Sequence, residues 1–130
     1  MAMTRKELKK LIKAHEIKQI CSKPTPGLME RVQIIYEHQV TGQLWSVFWY
    51  IDNHKAECLI FDCTEEQLDD IQNEITAMHY NIETVESIHR LYNKCTDTMN
   101  SDSATMDEKI VAKYIKKASD FFIHDRRYHV

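Results

Sequence analysis

Seven histidines, four cysteines and twenty acidic residues give this chain the raw material for metal binding, nucleophilic catalysis or charge recognition. Their spacing decides among these. His124 and His129 with Cys95 or His89 form the best zinc cluster, because neutral imidazole and thiolate are the usual ligands. The interval between His124 and His129 does not put both rings on one helical face, and no C-x-x-C pair accompanies them, so no metal is expected. A thiol nucleophile would pair Cys58 or Cys63 with His54 or His38, since a thiolate needs a neighbouring base or positive charge to lower its pKa. Cys58, however, falls on the inward side of a strand pattern, where an unpaired cysteine is packing material. Asp62, at a strand end, reads as a solvated rim carboxylate or a helix cap. The only two glycines, Gly27 and Gly42, are both taken up by turns, so no glycine-rich loop remains to cradle a nucleotide phosphate. Neither a cofactor nor an enzymatic activity is expected.

Charge is distributed more tellingly than its net value of −3 suggests. Residues 1–23 hold Arg5, Lys6, Lys9, Lys10, Lys13, Lys18 and Lys23 against Glu7 and Glu16, whereas residues 57–83 hold eight acids and no Lys or Arg. Two candidate surfaces follow. Glu65, Glu66, Asp69, Asp70 and Glu74 form an acidic arc on one helix, suited to steering a basic partner or mimicking nucleic-acid charge. Lys6, Lys9, Lys10 and Lys13 form the outer arc of another and could grip a phosphate backbone. The run Arg126-Arg127-Tyr128-His129 is basic but terminal, and such ends commonly fray.

These residues must be positioned by a small set of elements. The 130 residues suffice for one domain with a single core, and 43% hydrophobic with 28% charged residues is ordinary for a folded chain. Thr4-Arg5-Lys6-Glu7 is a capping box that starts a first helix running to about Glu16, with Leu8, Leu11, Ile12 and His15 inward. Ser22-Lys23-Pro24-Thr25-Pro26-Gly27 interrupts regular structure. Between Arg31 and Cys63, three strand-like runs are joined by Thr41-Gly42 and by residues 52–55, an antiparallel three-stranded β-meander. A two-residue turn at Thr41-Gly42 sets Tyr36 opposite Val47 and Ile34 opposite Trp49, and the second turn sets Trp49 opposite Cys58 and Val47 opposite Ile60. The reverse face, with Ile35, Leu44, Phe48, Leu59 and Phe61, is also apolar, so the sheet needs cover on both sides.

Thr64-Glu65-Glu66-Gln67 opens a second helix ending near His79, and a third runs from about Thr84, with a strand at residues 80–85 as the alternative. Residues 96–105 read as a flexible linker, after which Thr105-Met106-Asp107-Glu108 opens a strongly amphipathic last helix. The fold class is therefore α+β in the order α-β-β-β-α-α-α. The first two helices are expected on the Val47/Trp49 face. The C-terminal helices, from the same chain or a second copy, are expected over the Ile35/Phe48/Phe61 face, and a homodimer follows if the linker allows exchange between subunits.

The order helix, three antiparallel strands, helix over residues 4–79 resembles the double-stranded-RNA-binding domain. In that family the second helix begins with a lysine cluster that grips phosphates. Here the matching turn is Glu65-Glu66-Gln67-Leu68-Asp69-Asp70, which would repel RNA. The charged start MAMTRKELKK and the longest apolar run, residues 47–51, offer neither a signal peptide nor a membrane span, so a cytoplasmic location is expected. By subtraction, the function expected is a small regulatory or inhibitory protein acting through protein–protein contact, such as those among phage and mobile-element accessory proteins. The alternative is nucleic-acid binding through the basic first helix.

Overall fold

A computed structural model describes residues 3–25 and 31–125. The element order is α1 (Arg5–Lys13), β1 (Ile17–Pro24), β2 (Arg31–His38), β3 (Leu44–Asp52), β4 (Lys55–Cys63), α2 (Glu65–His79), α3 (Ile82–Met99) and α4 (Met106–Ile123). The class is α+β, but the antiparallel sheet has four strands in the order β1-β2-β3-β4 rather than three. The extra strand breaks the helix–three strands–helix order on which the resemblance to RNA-binding domains rests.

Three threonines start helices as their spacing predicts. Thr64 Oγ1 accepts from the Gln67 amide at 3.1 Å while Gln67 Oε1 accepts from the Thr64 amide at 2.9 Å, and Thr105 and Glu108 repeat the exchange at 3.1 Å each way. Thr4 Oγ1 accepts from the Glu7 amide at 3.2 Å. Each cap satisfies amides that the first helical turn leaves without partners. The end of α1 departs from expectation: it stops at Lys13, three residues early. His15 adopts φ 58°, and the amides of His15 and Glu16 return to the carbonyls of Ile12 and Leu11. That reversal closes the helix with a left-handed residue. His15 is consequently exposed instead of joining the inward stripe.

The reversal feeds directly into β1, the strand that hydrophobic alternation does not reveal. A register shift between Gln19 and Cys21 inserts an extra residue, so Ile17 faces one side of the sheet and Cys21 the other. A bulge of this kind erases period-two patterning. Pro24 ends the strand at the sheet edge, where a missing N–H is tolerated. Thus Ser22 to Pro24 are strand rather than interruption, while Pro26 and Gly27 lie outside the described residues, as do Arg126, Arg127, Tyr128 and His129.

The two hairpin registers differ in how well the sequence specifies them. Between β3 and β4, Asp52 pairs with Lys55, Trp49 with Cys58 and Val47 with Ile60, as predicted. Asn53 and His54, at φ 48° and 65°, form the tight turn with two left-handed residues that matches strand twist. Between β2 and β3 the observed pairs are Tyr36–Trp45, Ile34–Val47 and Val32–Trp49, a slip of two residues from a Thr41-Gly42 turn. A two-residue turn there would force β-branched Thr41 to positive φ. Instead the turn spans residues 39–42, only Gly42 is left-handed (φ 76°), and His38 Nδ1 accepts from the amides of Val40 and Thr41 at 3.2 Å each. An even slip preserves which side chains share a face.

Two cores flank the sheet. On the Val47/Trp49 face lie α1 and α4, with Leu8, Val111, Ala112, Ile115 and Ala118 packed on Val32, Ile34, Val47 and Trp49. Trp49 is fully buried, stacked on Tyr114 at 4.0 Å, with the Arg5 guanidinium 5.0 Å from its ring. On the Ile35 face lies α2, through Leu68, Ile71, Ile75 and Met78. Helix α3 gives Val85 and Ile88 to this second core and Leu91 and Cys95 to the first. So α2 sits on the side opposite to that expected, and so does most of α4, only its last turn reaching the Ile35 core through Phe122 and Ile123: an amphipathic stripe demands cover without saying which sheet face supplies it. Helix α3 includes residues 82–85, excluding the strand alternative, and continues through Met99, leaving residues 100–105 as the connection to α4. No helix among the described residues is long and apolar enough to cross a membrane.

Candidate functional site

Cover on the Ile35 face stops short of the last two strands. Helix α2 leaves the end of β4 and crosses toward β1, with which it makes contacts, so Ile35 and Leu44 are buried while Leu59 and Phe61 remain 45% and 51% exposed. Burying an aromatic or leucine side chain stabilises by about 1.5–3 kcal/mol, so leaving two in water is a conspicuous omission. The Phe61 ring meets Phe48 edge-on at 6.0 Å. Together they floor a groove of about 330 Å³, continued by Gln33 and Ser46, whose side chains are joined by a 2.9 Å hydrogen bond. Its wall is the outer flank of α2: Gln67, Asp70 and Ile71.

Every residue of the expected acidic arc is exposed on α2: Glu65, Glu66, Asp69, Asp70 and Glu74. The structure brings Asp70 to the groove and turns Glu74 away to Lys23 on β1, at 2.6 Å. Both partners are substantially solvated, so that pair contributes little to stability. The aromatic floor is what charge counting alone misses. Its signal is the alternation Glu57, Leu59, Phe61 in the last strand of the meander, which among the described residues has a strand neighbour on one side only.

The basic arc is on the other side of the sheet. Lys6, Lys9, Lys10 and Lys13 are exposed on α1 and, with Arg5, border a shallow open depression of about 580 Å³. Arg5 differs from the lysines, since it turns inward and donates to the Ala56 carbonyl at 3.4 Å. The two charged helices therefore oppose each other across the sheet, and their fields do not cancel locally.

Burial works against activation of Cys58, Cys63 and Cys95. Cys58 faces inward opposite Trp49, and burial pushes its pKa up to about 11 even though Arg5 and Lys9 pull the other way. Burial likewise raises Cys95 to about 11 and Cys63 above its ordinary value, and Cys63 Sγ donates to the Thr64 carbonyl at 3.4 Å. A nucleophilic thiol needs the opposite shift. His38 stands edge-on to Trp45 and caps its own turn, so its ring is engaged in holding the hairpin. His124 pairs with Asp120 at 3.2 Å on the exposed side of α4, whereas Cys95 is buried. Among the described residues no three His, Cys, Asp or Glu side chains are grouped to hold a metal ion. None of the known family models, curated proteins or solved structures matches the chain.

Proposed function

We propose that this chain is a small cytosolic regulatory or inhibitory protein that acts through protein–protein contact, of the kind found among phage and mobile-element accessory proteins. The observation that carries the reading is the half-covered sheet face, where an aromatic floor of Phe48 and Phe61 meets the acidic flank of α2. An apolar centre with a charged rim is the anatomy of a specific interface, the floor supplying affinity and the rim steering and register. A partner fitting this groove carries a large apolar side chain flanked by Lys or Arg. The test begins with the protein recovered alongside the full-length chain at low salt. Replacing Glu66, Asp69 and Asp70 together by Lys is expected to weaken that complex about tenfold to a hundredfold, mostly through slower association. A complex of unchanged affinity and salt dependence overturns the reading.

A second reading, nucleic-acid binding through α1, draws support from the clustering of Arg5, Lys6, Lys9, Lys10 and Lys13 around one depression. It predicts a mobility shift with duplex or single-stranded nucleic acid that weakens steeply with salt and is lost when Lys6, Lys10 and Lys13 become Glu. No shift at about 50 mM salt, where such contacts are strong, rejects it.

A further inference from the structure

The two edges of the sheet are protected very differently. β1 carries a bulge after Gln19, Lys18 and Lys23 along its length, and Pro24 at its end, and α4 packs against it. Each of these discourages another strand from adding. β4 lacks the bulge and the proline: it pairs with β3 through nine consecutive residues and carries no cation beyond Lys55, although α4 and α1 also touch it and Arg5 donates to its Ala56 carbonyl. Among the described residues its other side has no strand neighbour. A long, regular edge bearing exposed Leu59 and Phe61 is a template for pairing.

We propose that a second copy of this chain adds along β4, antiparallel, to make one continuous eight-stranded sheet with its two-fold axis at Ile60. Two identical strands related by an axis perpendicular to the sheet keep like faces together, so the register is restricted to a few choices. Centring on Ile60 places Leu59 opposite the partner's Phe61 and Phe61 opposite the partner's Leu59, converting both exposed apolar side chains into cross-strand pairs. Centring on Leu59 or Cys58 sets Phe61 against Glu57 or Lys55 instead. Centring on Phe61 sets Ile60 against Asp62 and shortens the overlap.

Charge complements the Ile60 register. Lys55 stands at one end of β4, and Glu65 and Glu66 begin α2 just beyond the other, so antiparallel pairing delivers each lysine to the partner's acidic helix start. No like charges face each other: Glu57 meets the partner's Cys63, and Asp62 meets the partner's Cys58. This pairing is independent of what the acidic helix binds, but it sets both Phe48/Phe61 grooves side by side on one face, each with its own α2.

Light scattering on the full-length chain at about 50 µM, well above a micromolar dissociation constant, is expected to give twice the 15.4 kDa chain mass. Replacing Leu59 and Phe61 together by Lys sets ammonium groups against one another across the axis and is expected to return the mass to 15.4 kDa. Because both positions are about half exposed, circular dichroism is expected to stay unchanged. Amide exchange supplies a check that needs no variant: protection of the edge amides within residues 57–63 rises with protein concentration in the native chain, by up to about tenfold between 0.5 and 50 µM, because the monomer fraction of a homodimer falls with the square root of concentration. A monomeric native chain at 50 µM, or a dimer that survives the double substitution with concentration-independent exchange in β4, overturns the proposal.

Discussion

Cys58 offers the sharpest test of whether this molecule hides a nucleophile. Its position looks suggestive, with the cations of Arg5 and Lys9 acting on a strand thiol, yet burial outweighs both and moves the pKa from an ordinary 9.0 to about 11. Near neutral pH that shift leaves about a hundredfold less thiolate than in an unperturbed cysteine. The remaining thiolate is more basic and hence more reactive, which restores about tenfold. A deficit of about tenfold therefore remains before access is counted, and Cys58 lies on the inward face opposite Trp49, against the first core. The assay is pulsed alkylation at pH 7–10 with site-resolved mass spectrometry, referenced to the chain in guanidinium. Cys58 is expected to label more than tenfold slower than its unfolded reference. Its rate should climb about tenfold per pH unit with no plateau below pH 10, because a raised pKa keeps the thiol protonated across that window. Cys63, beside the groove, should label first; Cys21 and Cys95, both buried, should follow only as the fold opens. Labelling of Cys58 at the unfolded rate, or a plateau near pH 8, would refute the burial argument.

Two stability measurements probe the features that set the register and join the layers. Gly42→Ala adds a Cβ that meets nothing within 4 Å, so its whole cost comes from φ 76°, about 1 kcal/mol by urea unfolding; a neutral result would mean that the turn is not held left-handed. Ser22→Ala removes the buried hydroxyl that donates to the Ala118 carbonyl at 2.9 Å and is expected to cost about 1 kcal/mol in the same assay, with no loss meaning that β1 and α4 are held by apolar packing alone.

How legible the chain is depends on whether a signal is local. The Asn53-His54 turn writes its own register, and the Thr64 and Thr105 caps announce their helices, so β4, α2 and α4 start where pattern says they should. The β2–β3 register depends on a histidine ring accepting two amides, which Thr41-Gly42 does not announce. β1 is hidden because one extra residue near Ile20 cancels the alternation by which strands are recognised. The need to cover both sheet faces is legible in Phe48 and Ile35, but the choice of helix for each face is decided by how all four compete for apolar surface. The acidic and basic arcs are legible as charge. Their separation by the sheet, and the bare aromatic strip beside one of them, come from tertiary placement that no local spacing encodes.

Putting lysines on α1 and carboxylates on α2, with a sheet between, gives the molecule a compass. A polyanion at a distance turns α1 toward itself and leaves the Phe48/Phe61 groove pointing away, while a polycation turns it the other way round. The two charged surfaces do not overlap, since the sheet lies between them. Raising ionic strength to about 1 M shortens the reach of that orientation to about 3 Å.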